Sequence, residues 1–93
     1  MKTVKFKTVG HLAQMAGVTE LDLKLEGCDI RDFLMEVFKH TDESYAKFVY
    51  PKGRLNDVVT IMKNGKNISL LDGLDTHVED GDVINVMHMN VGG

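Results

Sequence analysis

The sequence predicts a two-layer α+β domain, one amphipathic helix laid over one mixed sheet, and three observations carry that expectation. Two stretches near the N-terminus alternate apolar and polar residues, the stretch after Gly27 switches to helical spacing, and the second half holds apolar runs bounded by turn residues. In order, the elements read strand, strand, helix, strand, short strand, strand.

In the first strand Val4, Phe6 and Thr8 fall on one face and Lys5 and Lys7 on the other, the pattern of a strand with one wet side. Residues 9–18, with Gly10 and Gly17 around His11-Leu12-Ala13-Gln14-Met15-Ala16, read as a loop or short helical turn that brings the chain back. Leu21, Leu23 and Leu25 then alternate with Asp22, Lys24 and Glu26, so the first two strands form an antiparallel pair with a common apolar face. Ile30, Phe33, Leu34, Val37 and Phe38 make a continuous helical stripe to cover that face. Asp29 is its expected N-cap, Asp32 sits by the positive helix end, and Lys39 and His40 by the negative one.

Residues 41–57 are less regular. Tyr45, Phe48 and Val49 suit one side of a short helical turn, and Tyr50-Pro51-Lys52-Gly53 is a turn. Val58-Val59-Thr60-Ile61-Met62 is a strand, Asn64-Gly65 is a strong hairpin signal, and Lys66 to Ser69 pairs back as a short strand. Leu71 to Thr76 is turn-rich, and Asp80-Gly81-Asp82 is a tight turn into the final strand. That strand sets Ile84 and Val86 against Asn85 and Met87, and its apolar character suits a central place beside the first strand.

Composition narrows the function. A chain of 93 residues fits one domain. A net charge of −3 argues against binding nucleic acid by phosphate neutralisation, and Lys2, Lys5 and Lys7 read as a solvated strand face. Cys28 stands alone, so no internal disulfide is expected; no apolar run has the length of a membrane span, and the expected location is cytoplasmic. His11, His40, His77 and His88 lack a second ligand at helical spacing, and no metal site is expected. Asp29, Asp32, Asp80 and Asp82 read as cap and turn residues. No convergent nucleophile, base and oxyanion set points to an enzyme, and no glycine-rich phosphate loop points to bound ATP.

The end of the chain is the informative part. The final strand runs without a cap into Gly92-Gly93, although terminal glycines pack nothing and lose the most freedom when ordered. At ordinary glycine usage a Gly-Gly end arises by chance about once in ~200 chains. An extended segment from Asn90 to Gly93 reaches roughly 13 Å beyond a folded body, slim enough to thread a partner's channel. The expected organisation is a domain over residues 1–89 and a tail over residues 90–93. Met87, on the face turned from the helix, together with Met62 or Val83, is the expected partner-docking surface.

Several motifs resemble a known family: Leu12-Ala13-Gln14-Met15-Ala16-Gly17, Asn64-Gly65-Lys66-Asn67-Ile68, Leu71-Asp72-Gly73-Leu74-Asp75-Thr76, Asp80-Gly81-Asp82-Val83 and the terminal Gly92-Gly93. Spread along the whole chain, they are similar to the ubiquitin-like β-grasp sulfur carriers of the MoaD/ThiS family, including the small archaeal modifier proteins. The resemblance implies a β-grasp of four to five strands under one main helix. It also implies a partner of the ubiquitin-activating type, similar to MoeB or ThiF, that uses ATP to adenylate the carboxylate of Gly93. The acyl group then becomes a thiocarboxylate for sulfur transfer, as in molybdopterin biosynthesis with the molybdopterin synthase large subunit, or forms isopeptide bonds with protein lysines. Gly92 and Val91 would complete the tail that the partner holds. MoaD-type subunits usually carry prolines and an aromatic before the tail, where this chain has Val86-Met87-His88-Met89-Asn90-Val91, which favours the modifier use. The alternative is a β-grasp interaction module that does not use its C-terminus.

Overall fold

The computed structural model describes residues 1–89. The expected tail, with Val91, Gly92 and Gly93, lies outside the described residues. Five strands, β1 (Lys2–Thr8), β2 (Glu20–Leu25), β3 (Val59–Lys63), β4 (Lys66–Asn67) and β5 (Val83–His88), form one mixed sheet in the order β2-β1-β5-β3-β4. β1 pairs with β2 antiparallel, Val4 opposite Leu23, and with β5 in parallel, Phe6 opposite Ile84. β5 pairs with β3 antiparallel, Ile61 opposite Val86. The final strand is therefore central and beside the first, as its apolar character predicts.

Three helices, α1 (Gly10–Ala16), α2 (Ile30–Phe38) and α3 (Glu43–Val49), accompany the sheet. The core combines Val4, Phe6, Leu23, Leu25, Ile61, Ile84 and Val86 from the strands with Ile30, Phe33, Leu34 and Val37 from α2. Phe38, last in the expected stripe, and Leu21 are only half-buried at its margin. Where the sequence left a loop or turn after β1, α1 makes two helical turns and buries Leu12 and Ala16. In the less regular middle, α3 buries Tyr45 and Val49. The return strand after the hairpin is shorter than expected: only Lys66 and Asn67 pair, and Ile68–Leu70 winds into a 3₁₀ turn as the Asn67 side chain accepts from the Ser69 amide at 2.9 Å.

Local chemistry fixes the corners. Asp29 Oδ1 accepts from the Asp32 amide at 2.8 Å, and Asp32 Oδ2 accepts from the Cys28 amide at 2.9 Å. Two of the orphan amides at the start of α2 are thus satisfied reciprocally. The donated Cys28 N–H also holds the Asp32 carboxyl below the usual carboxylate range. At the β3–β4 hairpin, Asn64 and Gly65 both take positive φ, 50° and 84°, which a two-residue turn matched to strand twist requires.

One buried polar chain ties helix to sheet. Thr8 Oγ1 donates to the Val86 carbonyl at 2.9 Å and accepts from Tyr45 Oη at 3.1 Å. Among the described residues no buried side-chain polar atom lacks a partner.

Two predictions follow from this packing. Phe33 is fully buried, with its ring 6.1 Å from that of Phe6, so Phe33→Ala should lower stability by about 3 to 5 kcal/mol, read from urea denaturation. Burial pushes the Tyr45 hydroxyl up from 10.0 to about 12 against the opposing pull of its bond to Thr8. A folded-state value above the unfolded one gives stability that is complete below the unfolded value and is lost as pH rises through the folded one. Between pH 10.0 and about 12, the wild-type denaturation midpoint should therefore fall more steeply than that of Tyr45→Phe. Parallel curves would show that the phenol ionises freely in the folded state.

Candidate functional site

The sheet has one face under the helices and one face open, and the pleat divides the residues between them. On the open face the β1–β2 half is a lattice of charges. Lys5 lies opposite Asp22 and Lys7 opposite Glu20, and the Lys5 ammonium is 3.1 Å from the Glu20 carboxylate and 3.6 Å from that of Asp22. The Glu20 hydrogen bond, with the Asp22 and Glu20 charges, raises the affinity of Lys5 for its proton.

The β5–β3 half is different. Met87 stands opposite Thr60 and Met62 opposite Asn85, while Val83 lies beside Lys5 at the border of the charged half. Met62, Val83 and Met87, singled out from the sequence, thus share this face and are all half-buried. The apolar character continues to the end of β5, where the Met89 amide donates to the Val58 carbonyl at 2.6 Å and both side chains are exposed, at 48% and 46%. Thioethers and an isopropyl group on one side of a border and ion pairs on the other make a patch of defined outline. Met suits such a surface because its unbranched, polarisable side chain adapts to the shape it meets.

The beginning of β5 is anchored by a partly buried cluster. Asp82 accepts from the Glu79 amide at 2.8 Å and from Asn64 Nδ2 at 2.9 Å, with Lys63 Nζ 3.6 Å away, and Asn64 Oδ1 accepts from the Val83 amide at 2.8 Å. Asp82, read from the sequence as a turn residue, fills that role and also holds the β3–β4 hairpin against β5. At the other end of the strand, His88 packs its ring 5.4 Å from Phe48 and 6.2 Å from His11, the two imidazoles 30° from parallel. Sequence reading did not bring His11 and His88 together, because α1 was not foreseen as the element that carries His11 to the end of β5.

A second grouping is also local. Cys28, Asp29 and Asp32 place donor atoms within 4.8 Å of one another, the one grouping of three metal-type donors among the described residues. Both carboxylates already accept amide protons at the start of α2, and the positive helix end disfavours a cation there. Cys28 is exposed, and the carboxylates near it, those of Asp29 and Asp32, are already occupied by amide protons. No helix among the described residues is long and apolar enough to cross a membrane.

Comparison with known proteins agrees with this geometry. The solution structure of the small archaeal modifier protein 1 from Methanosarcina acetivorans is 31% identical and superposes with a TM-score of 0.83, covering 100% of this chain and 98% of that one. Urm1 from Trypanosoma brucei, at 18% identity, shares the fold, with a TM-score of 0.76 over 99% of this chain and 96% of its own. A relative from Archaeoglobus fulgidus, which bears the name of a candidate sulfur carrier protein, is 24% identical over 74 residues, 80% of this chain and 84% of its own. The five-stranded mixed sheet with its main helix is the ubiquitin-like β-grasp of these proteins. The ThiS family model matches residues 7–93, nearly the whole sequence and the whole of its C-terminal end. The chain therefore belongs to the ThiS family of ubiquitin-like carrier proteins.

Proposed function

We propose that this chain is a carrier whose reactive group is the carboxylate of Gly93. A partner of the ubiquitin-activating type docks on the Met62, Val83 and Met87 half-face and takes residues 90–93 into its active site. The observation that carries this reading is the family match extending to residue 93, joined to an apolar half-face that runs up to the start of that segment.

The chemistry follows from what a carboxylate lacks. Its oxygen is a poor leaving group, so the Gly93 carboxylate attacks the α-phosphate of ATP on the partner, pyrophosphate departs, and an acyl adenylate results. Covalent activation divides one hard transfer into two easier ones. A sulfur nucleophile at the hydrosulfide level then displaces AMP to give a thiocarboxylate, or an enzyme thiol displaces it to give a thioester that a lysine amine can open. Gly92 and Gly93 have no Cβ, so the partner's groups can approach the carbonyl closely. Every catalytic group and the nucleotide site belong to the partner; this chain supplies the acyl group and the docking face. The same end serves sulfur delivery, including delivery through a molybdopterin synthase large subunit, and attachment to protein lysines. The likeness to a small archaeal modifier at 31% identity supports the second use, and the Archaeoglobus relative's name supports the first.

Deletion of Gly92 and Gly93 should leave the thermal midpoint unchanged and abolish charging, measured as ATP–pyrophosphate exchange with the activating enzyme of the same genome. Retained biological activity after that deletion would favour the interaction module instead. Intact mass of the chain recovered from its own cells should show either one sulfur-for-oxygen exchange or covalent attachment to other proteins. Met87→Asp should fold normally yet be charged about tenfold less efficiently, the scale of losing one central apolar contact. An unchanged exchange rate would move the docking surface elsewhere.

A further inference from the structure

The ladder between β3 and β4 ends at Met62 and Asn67, yet β3 runs on to Val59, so over residues 59–61 its outer edge carries no strand. An apolar groove of about 220 Å³ lies along this stretch. Its far wall is built by Leu55 from the connection before β3 and by Ile68 and Leu74 from the connection between β4 and β5, and no charged residue lines it. Met89 completes the lining. The same residue ends the described chain, so residue 90 is joined directly to the groove's lining.

We propose that this groove is a second docking point for the activating enzyme, and that its occupant is an uncharged, apolar side chain on an extended segment of that enzyme. The inference rests on the reading of Gly93 as the charged group and adds where the partner holds the body. Three features select this occupant. A groove without charges gives no counterpart to an ionic group, and at about 220 Å³ it has room for an apolar side chain and not for the face of a whole helix. On that edge the Val59 amide already donates to the Asn56 carbonyl at 2.9 Å, and the rest of it accepts an extended segment by main-chain pairing, with alternate side chains entering pockets. Met89 joins the groove to the root of the tail, so one partner can occupy both without spanning the charged β1–β2 half of the sheet.

Ser69 lines the rim and is exposed, which makes it the place to fill the groove without removing core atoms. The test compares Ser69→Phe with Ser69→Ala in ATP–pyrophosphate exchange over a range of chain concentrations, with thermal midpoints as the check on folding. Ser69→Leu replaces the larger variant if that one unfolds. The expected result is a half-saturating concentration raised about tenfold by the filling variant with the maximal rate unchanged, and no effect of Ser69→Ala. Equal half-saturating concentrations for all variants would overturn the proposal. Faster charging of the filled variant would mean that the chain's own tail had occupied the groove, and loss of a wild-type dimer in the filled variant would mean that a second copy had; either would overturn the enzyme as occupant. A wild-type chain that is not charged at any concentration would remove the reading of Gly93, and this inference with it.

Discussion

Everything in this molecule depends on β5 lying between β1 and β3, parallel to one and antiparallel to the other. That position buries Ile84 and Val86 completely and makes the last strand the axis of the sheet. It also determines what can stand at the strand's two ends. The beginning is fastened by Asp82 and Asn64, the middle by the Thr8 hydroxyl on the Val86 carbonyl, and the end emerges beside Met89 and the apolar half-face. A low-dielectric surround strengthens such fully satisfied polar groups, which therefore fix register as well as add stability.

The open face follows from the same arrangement. Lysines alternate with apolar residues along β1 and meet acids on β2, so that half of the sheet spends its charges internally. On this face β3 and β5 present Met62, Val83 and Met87 beside the uncharged polar side chains of Thr60 and Asn85. Surface ion pairs contribute little to stability, whereas an apolar patch bordered by charge gives a partner both an area to bury and an edge by which to orient. Binding and reactivity are thus divided in the proposed reading, the body offering shape and the terminal carboxylate the reacting atom.

Much of this was legible in the sequence because it is written in local periodicity. The alternation in β1 and β2, the helical stripe from Ile30 to Val37, the Asn64-Gly65 hairpin and the reciprocal caps at Asp29 and Asp32 each depend on residues near one another in the chain. α1 was legible only as a loop or short helical turn because Gly10 and Gly17 bracket it and only Leu12 and Ala16 are buried, too few positions to set a period. α3 was read as a single turn because its two buried residues, Tyr45 and Val49, lie in a stretch interrupted by Pro51. The pairing of Lys66 to Ser69 was overread, since Asn67 captures the Ser69 amide and bends the chain out of the ladder. The groove beside β3 was invisible because Leu55 comes from one connection, Ile68 and Leu74 from another, and the three carry no common spacing. On the open face, the period of two turned Met87 outward, and the register puts Met62 of the neighbouring strand on the same face.

The two-sided pairing of β5 has a mechanical consequence. A partner that pulls on the C-terminal end pulls along the strand axis, at right angles to the hydrogen bonds that join β5 to β1 and β3. Force along that line loads all the bonds of both ladders together in shear, whereas a hairpin peeled from its turn gives way one bond after another. A load along the strand therefore meets the resistance of two ladders at once, and the sheet keeps its axis while the end of the strand is held.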